Sequence, residues 1–292
     1  MFIYLENASY TYNLNMPFET KALDSINLSI DRGEFIGIIG HTGCGKTTLL
    51  QLLNGLLEPT IGHVFIDGVD IHQNKKGLKE IRKKIGLTFQ YPENQLFEES
   101  IYKEIAFGPR NLGITDDLLD ERVKKAMKMV ELDYNQYKDR SPFELSGGEM
   151  RRVAIASVLA IDPEIIILDE PTASLDPQSH ASFLTLIKNL YQKYHKTMIL
   201  VSHNMDVIAE LAQRVLVMEK GKIIMDSTPR NIFQESVEQL EKIGLELPQV
   251  TYVMHRLKQM GKEVNSGVLT IEEAKEEIFS ILKVKKSNNE IF

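Results

Sequence analysis

Two short runs within the first thirty positions alternate. "FIYLENASYTY" at 2–12 and "INLSI" at 26–30 switch between apolar and polar residues, the pattern of half-buried antiparallel strands. At 34–40 the texture changes to "EFIGIIG", a continuous apolar run entering a Gly-rich turn, with "KTTLLQLLNGLL" at 46–57 following as a helix. "GHVFIDGVDI" at 62–71 returns to short strands around an Asp-Gly turn. From about 94 to 160 the pattern is helical, most clearly in "DDLLDERVKKAMKMVEL" at 116–132, with acids in its first turn. "EIIIL" at 164–168 predicts a buried strand, 179–194 a helix, "TMILVS" at 197–202 a strand, and "RVLVMEKGKIIMD" at 214–226 a hairpin turning at Lys220-Gly221. Apolar strands alternating with helices imply a mainly parallel sheet with crossovers.

After Phe233 the chain is charged and helical, and "LTIEEAKEEIFSIL" carries a capping box, Thr270 to Glu273, ahead of an apolar stripe at Ala274, Ile278 and Leu282. The expected organisation is an α/β unit at 1–233, with an N-terminal antiparallel β part and a helical block inserted at about 94–160, followed by a helical C-terminal unit at 234–292. With 43% hydrophobic and 26% charged residues, the chain can bury a sizeable core and is not a disordered one. Its apolar stretches are strand-sized, far below the roughly 20 residues of a bilayer-spanning helix.

A formal charge of -7 argues against a nucleic-acid partner, whose phosphates are bound by clustered Lys and Arg. "MFIYLENASY" lacks the basic region, apolar run and cleavage site of a secretory signal. The single cysteine, Cys44, cannot form an internal disulfide, which fits a reducing cytoplasm.

Gly40-His41-Thr42-Gly43-Cys44-Gly45-Lys46-Thr47 fits G-x-x-x-x-G-K-[ST], and it stands where that motif needs to stand, after a buried strand and before a helix. Its glycines let backbone N–H groups wrap phosphates, Lys46 reaches the β and γ phosphates, and Thr47 ligates Mg²⁺. Asp169-Glu170 ends the strand "EIIIL", where carboxyl ends of parallel strands face a ligand crevice. Adjacent carboxylates after such an apolar run are costly unless a cation or a proton-transfer task uses them. Asp169 is therefore assigned to the Mg²⁺ shell and Glu170 to polarising the attacking water. His203, just past "TMILVS", brings an imidazole to the same edge, and Gln90, ending "GLTF", offers an uncharged oxygen to Mg²⁺ or the water. Tyr12 can stack on adenine, with Tyr10 and Phe18 as competing candidates and plain packing as the bland alternative. Cys44 is either a thiol whose pKa a helix N-terminus lowers or a small residue that fits the turn.

One stretch is not explained by a single chain. "LSGGEMRR" at 145–152 places a serine and two glycines at the start of a predicted helix, Ser146 to Ala160, forming a second anion-binding nest.

The phosphate loop, Gln90, Leu145-Ser146-Gly147-Gly148-Glu149, "IIILDEP", Ser174-Leu175-Asp176 and His203 occur in the order found in ATP-binding cassette (ABC) ATPases, which residues 1 to about 233 resemble. The resemblance implies an ABC-type nucleotide-binding fold that binds ATP with Mg²⁺ through the loop from Gly40 to Thr48, with Asp176 beside the nucleotide. It also implies two cassettes face to face, head to tail, so that Ser146, Gly147 and Gly148 serve the γ phosphate held by the partner. Glu149 departs from the commoner Gln, and a carboxylate near a bound polyanion is unfavourable unless Arg151 or Arg152 offsets it.

"YPENQLFEESIYKEIAFGPRNLG" at 91–113 and "GEMRRVAIASVLAIDPEIIILDEPTASLDP" at 148–177 are similar to the energy-coupling factor transporters, which import vitamins and trace-metal ions, and most like the second of their two ATPase subunits. That resemblance implies a sister ATPase, a transmembrane coupling protein, a substrate-binding membrane protein and a peripheral place on the cytoplasmic face of the cell membrane; a homodimer, as in single-ATPase relatives, is the other possibility. The coupling protein is expected to dock near Gln90, Glu93, Leu96, Phe97 and Glu98, with the acids receiving its arginines. Glu98 and Glu99 equally suit the N-terminal dipole of a helix beginning near Ser100. The tail at 234–292 is expected to pack against the partner's tail, the alternative being a solvated helical hairpin. The rival of a different class is a soluble cassette ATPase acting on ribosomes or nucleic acid.

Overall fold

Strand β1 (Ile3–Tyr12) pairs antiparallel with β2 (Thr20–Ile30); its burial alternates from Ile3 to Glu6 as the period-two pattern requires, and the alternation breaks at the register shifts between Leu5 and Tyr10, where Ala8 and Ser9 are both buried. The computed structural model describes residues 1–71 and 78–289. Residues 72–77 and 290–292, which fall in the expected ATPase unit and at the end of the expected C-terminal unit, lie outside that description. After β3 (Phe35–Ile39) and helix α1 (Lys46–Leu53), the chain returns in β4 (Ile61–Ile66) and β5 (Val69–Asp70), completing a four-stranded sheet of order β2-β1-β4-β5.

Every residue of β3 is buried, because a central parallel strand is covered on both faces. Helix α2 (Leu78–Lys84) leads into β6 (Ile85–Thr88), and four helices follow before the sheet resumes: α3 (Ile101–Asn111), α4 (Asp116–Met129), the short α5 (Tyr134–Tyr137) and α6 (Gly147–Leu159). The sheet resumes with β7 (Ile165–Asp169), α7 (Pro177–Tyr194), β8 (Thr197–Val201), α8 (Met205–Leu211), β9 (Arg214–Glu219) and β10 (Lys222–Ser227). Its order is β10-β9-β3-β8-β7-β6, parallel throughout except for the β9–β10 hairpin.

Alternate residues of the central strands feed two cores. Phe35, Ile39, Ile166, Leu168, Met198 and Leu200 face the helices. Ile36, Ile38, Ile165, Ile167, Ile199 and Val201 face α1 and the antiparallel sheet. Each such side chain contributes about 1.5–3 kcal/mol by leaving water, which makes this register hard to slip.

The hairpin turns at Lys220 (φ 46°) and Gly221 (φ 79°), the two left-handed torsions of a tight hairpin turn. Gly221 is required for a further reason: its N–H donates to the Cys44 carbonyl at 2.9 Å, and a Cβ there would lie 2.8 Å from the Ala22 carbonyl oxygen. The hairpin tip thus clamps the loop between β3 and α1.

Four helices close the chain: α9 (Pro229–Glu235), α10 (Val237–Lys242), α11 (Gln249–Gln259) and α12 (Ile271–Asn289). Phe233, Leu240 and Leu245 join the helix-side core, so this region begins as an extension of that core. The expected capping box differs in one arm. Thr270 Oγ1 accepts the Glu273 N–H at 3.2 Å, but Glu273 reaches back to the N–H of Leu269 (2.9 Å) and pairs with Arg230 (2.8 Å), because α9 brings a guanidinium within reach. Ile271, Ile278, Phe279 and Leu282 of α12 are exposed on a stripe of helical spacing. Among the described residues no helix is long and apolar enough to cross a membrane.

Candidate nucleotide and hydrolysis site

Strand order assembles the site. The carboxyl ends of β3, β8, β7 and β6 lie side by side, so the phosphate loop, His203, Asp169-Glu170 and Gln90 reach one edge of the sheet. A cavity of about 480 Å³ opens there, lined by Tyr12, Thr42, Gly43, Gly45 to Thr48, Gln90, Asp169, Glu170 and His203.

The loop's shape follows from Gly45. Its φ is 107°, and a Cβ would lie 2.5 Å from the Ala22 carbonyl oxygen, so no side chain fits where β2 crosses beneath the loop. Lys46 is buried and folds back over the loop, donating to the carbonyls of Gly40 (2.6 Å) and His41 (3.0 Å). His41 turns the other way, and its Nε2 meets the Ile243 carbonyl at the end of α10. Cys44 is buried, and that burial pushes its thiol pKa up in spite of the nearby Lys46 charge. Of the two readings of Cys44, this favours the small residue that fits the turn, since burial disfavours the thiolate.

Thr47 Oγ1 donates to Asp169 Oδ2 at 3.0 Å. Asp169 closes β7 inside the protein, and burial raises its pKa against the opposing pull of Thr47 and Lys46. A buried carboxylate beside a threonine hydroxyl and the Gln90 amide forms a hard oxygen donor set suited to Mg²⁺, which takes one or two carboxylates plus phosphates. Among the described residues no cluster of three or more His, Cys, Asp or Glu is placed to hold a metal ion.

Glu170 adopts a left-handed backbone (φ 49°) in which its N–H donates to Val201 O at 3.0 Å, anchoring it to the neighbouring strand β8. Its Oε2 accepts the His203 N–H at 3.3 Å. Oε1 is buried without a hydrogen-bond partner, 3.2 Å from His203 Nε2 but out of line with it. Burial, helped by the adjacent Asp169 charge, pushes the Glu170 carboxyl up to about 7. Burial and then Lys46 lower the His203 pKa, leaving a neutral imidazole at neutral pH.

Of the three aromatic candidates, Tyr12 lines the cavity, with its hydroxyl 3.2 Å from Thr48 Oγ1. Tyr10 packs edge-on against it at 4.8 Å, and Phe18 stands 90% exposed in the β1–β2 loop. Thr20 and Ala22 also line the cavity and carry no sequence signal, because they are placed there by the pairing of β1 with β2.

Ser146, Gly147, Gly148 and Glu149 lie outside this cavity. Ser146 is the N-cap of α6 in a full capping box: its Oγ accepts the Glu149 N–H, and Glu149 Oε2 accepts the Ser146 N–H at 2.9 Å and hydroxyl at 2.7 Å. Tyr137 donates to the other Glu149 oxygen at 2.8 Å. The hydrogen bonds from Ser146, with that from Tyr137, hold the Glu149 carboxyl below the usual range. These neutral donors, not Arg151 or Arg152, offset its charge: Arg151 is bound to Glu93 and Arg152 to Glu131, Val130 O and Ser182. Asp176 also lies outside the cavity and caps α7, accepting the N–H groups of Gln178 and Ser179 at 3.0 Å each.

The expected docking segment is altered in two places. Leu96 is buried in the helix-side core, and Glu93 is paired with Arg151 at 2.6 Å, so neither is free to meet a partner as expected. Phe97 is 57% exposed and packs edge-to-face on Phe107, and Glu99 pairs with Lys103.

Residues 23–173 match the family model described as ABC transporter. The chain is 53% identical to the energy-coupling factor transporter ATP-binding protein EcfA2 of Clostridium tetani, over 99% of this chain and 100% of that one. It is 52% identical to the protein of the same name from Clostridium perfringens, again over 99% and 100%. Among solved structures, cbiO1 of Clostridium perfringens, part of the ABC transporter complex cbiONQ, superposes with a TM-score of 0.73 at 35% identity, covering 87% of this chain and 98% of that chain. The ATP-binding cassette MJ0796, solved as a dimer in a post-hydrolysis state bound to ADP and Pi, gives 0.68 at 30% identity over 78% and 98%. The alternative of a soluble ATPase on ribosomes or nucleic acid finds no support among them. With the phosphate loop, the carboxylate pair at the end of β7 and the Ser-Gly-Gly helix cap in one fold, the chain belongs to the ABC transporter family and, within it, to the energy-coupling factor transporter ATP-binding proteins.

Proposed function

We infer that this chain is the ATP-hydrolysing subunit of an energy-coupling factor importer, powering uptake of vitamins or trace-metal ions through partner membrane proteins. The observation that carries the chemistry is the buried, unpartnered Oε1 of Glu170, on a carboxyl whose pKa lies near 7, at the cavity that holds Lys46 and Thr47. A base poised near the working pH is what water activation needs.

ATP is bound by the loop amides from Gly40 to Thr48, with Lys46 leaving the loop carbonyls for the β and γ phosphates and Tyr12 facing the base. Glu170 takes a proton from water as the water oxygen bonds to the γ phosphorus. The bond from that phosphorus to the β–γ bridging oxygen breaks, and ADP leaves with the electron pair. Neutral His203 orients the water or the γ phosphate. Thr47, Asp169 and Gln90 would hold Mg²⁺, which when bound neutralises charge developing on the phosphate oxygens.

Ser146, Gly147 and Gly148 serve the nucleotide of a second, homologous ATPase packed head to tail, with Glu149 shaping that cap and Asp176 close to the shared interface. A heterodimer with a sister subunit is the favoured assembly, and a homodimer is the second reading. Hydrolysis removes the phosphate bridge between the two chains and lets them open, which is the mechanical stroke. The exposed Phe97 and the neighbouring Glu98 face a transmembrane coupling protein, a substrate-binding membrane protein joins through it, and the chain lies peripherally on the cytoplasmic face of the cell membrane. The apolar stripe on α12 packs on the partner's tail and keeps the two ATPases joined between cycles.

Affinity capture of the tagged chain from detergent-solubilised membranes, with mass spectrometry of what accompanies it, tests this. A second cassette ATPase, one coupling protein and several small membrane proteins are expected. One fixed membrane partner without a sister ATPase supports the homodimer, and soluble partners alone reject the importer.

A further inference from the structure

Among the described residues two cationic side chains are buried. Lys46 belongs to the phosphate loop. The other, Arg151, is 2% exposed and lies outside the nucleotide cavity, on α6 just past the Ser146 cap. Its guanidinium is divided between two segments remote in sequence. Nε and Nη2 donate to the two carboxylate oxygens of Glu93 at 3.0 and 2.6 Å, in the turn that follows Gln90. Nη1 donates to the carbonyls of Pro171 and Ala173 at 2.8 and 3.0 Å, in the turn that follows Glu170.

The same two segments touch a second time, where the Tyr91 hydroxyl lies 3.4 Å from Ser174 Oγ. Each is also tied outward. Ala173 N–H donates to the Glu170 carbonyl at 3.2 Å, so the second turn is continuous with the proposed base. Beyond the first turn, buried Glu104 of α3 accepts the N–H groups of Phe97 and Glu98 at 2.9 and 2.8 Å.

We propose that Arg151 is a positioning residue that makes the segment after Gln90 and the segment after Glu170 move as one body, so that a displacement of the exposed Phe97 loop reaches the backbone of Glu170. The physical reason is that a desolvated guanidinium cannot release either set of acceptors without leaving buried charge unpaired. This rests on the reading of Glu170 as base only for its effect on rate; the mechanical link stands apart from it.

The test uses the chain in its complex with its partner subunits, with Glu93→Gln, Arg151→Lys and the double variant. Each single change is expected to lower kcat about tenfold while KM for ATP stays within about twofold, because the phosphate loop is untouched. The double variant is expected to match the more impaired single, as two parts of one link do. Amide hydrogen exchange supplies a readout that local packing at Glu93 would not move: Glu93→Gln should speed exchange at 171–176 as well as at 91–98. Exchange confined to 91–98, multiplicative losses in the double variant, a rise in KM alone, or parental turnover in Glu93→Gln each overturn the proposal. If Arg151→Lys fails to assemble, Glu93→Gln alone decides through exchange. If Glu170→Gln turns over at the parental rate, the base assignment falls and the exchange result still reads the link.

Discussion

Glu170 Oε1 and His203 Nε2 lie 3.2 Å apart without a hydrogen bond between them, and the same Glu170 side chain accepts the His203 backbone N–H through its other oxygen. One oxygen is therefore oriented and the other left available for a proton. Glu170→Gln is expected to bind ATP normally and to lose about 10²- to 10⁴-fold in kcat. With the carboxyl pushed up to about 7, kcat/KM of the parent should climb along an acid limb centred near pH 7. Steady-state kinetics from pH 5.5 to 8.5 check both, and a profile flat across that range rejects the assignment.

The same group makes a prediction about stability. Its folded-state pKa of about 7 exceeds the ordinary 4.5, so between those values the folded chain holds a proton that the unfolded chain has lost, and stability falls as pH rises through that window. Glutamine does not titrate. Glu170→Gln should gain on the parent from pH 4.5 to 7 and then level off, at on the order of 3 kcal/mol. Denaturant titrations at pH 5 and pH 8 measure the difference, and equal gains at both would contradict the burial of this carboxyl.

The Thr47–Asp169 hydrogen bond brings together two of the side chains proposed to hold Mg²⁺. Asp169→Asn is expected to abolish turnover, and chelation of Mg²⁺ should do the same to the parent. In a binding titration, Mg²⁺ should strengthen ATP affinity for the parent and leave the variant nearly indifferent. An undiminished Mg²⁺ effect in Asp169→Asn would move the cation elsewhere.

Tyr12→Ala should raise KM for ATP about tenfold, as expected for removing one ring stacked on a base. Tyr12→Phe, which loses only the contact with Thr48, should stay within about threefold, and Phe18→Ala should leave KM unchanged. An effect at Phe18 equal to that at Tyr12 would assign the base to the β1–β2 loop instead.

Glu149 completes the cap of α6. Glu149→Gln can keep both hydrogen bonds to Ser146 and should change stability by less than about 0.5 kcal/mol, whereas Glu149→Ala should cost about 1 kcal/mol. Thermal melts distinguish them. A large gain in activity with Glu149→Gln would show that the carboxylate repels the partner's nucleotide after all.

Much of this chain was readable because the deciding interactions are local. The phosphate loop needs only glycine torsions between a strand and a helix, whereas the capping box of Ser146 with Glu149, equally local, goes unread when Glu149 is weighed only as a charge. The hairpin at Lys220-Gly221 is a matter of two left-handed torsions. Errors cluster where burial or a distant partner decides. Leu96 and Glu93 read as free surface, yet Leu96 enters the core and Glu93 meets a guanidinium 58 positions away. Cys44 sits at a helix N-terminus, as its position implies, but its pKa answers to burial, which position does not reveal.

By itself, then, the sequence determined the inventory: which strands are buried on both faces, where a phosphate can be wrapped, which two carboxylates end a strand, and to which family their order belongs. Periodicity and backbone torsion are properties of short segments, so they survive in one dimension. Only the tertiary structure decided who meets whom. The order β3-β8-β7-β6 sets four strand ends side by side, the pairing of β1 with β2 brings Tyr12 to their cavity, and the fold draws Arg151 away from Glu149 into a bridge between Glu93 and the turn after Glu170. These pairings depend on sheet order and on desolvation, both collective properties of the folded chain, and no local pattern encodes them.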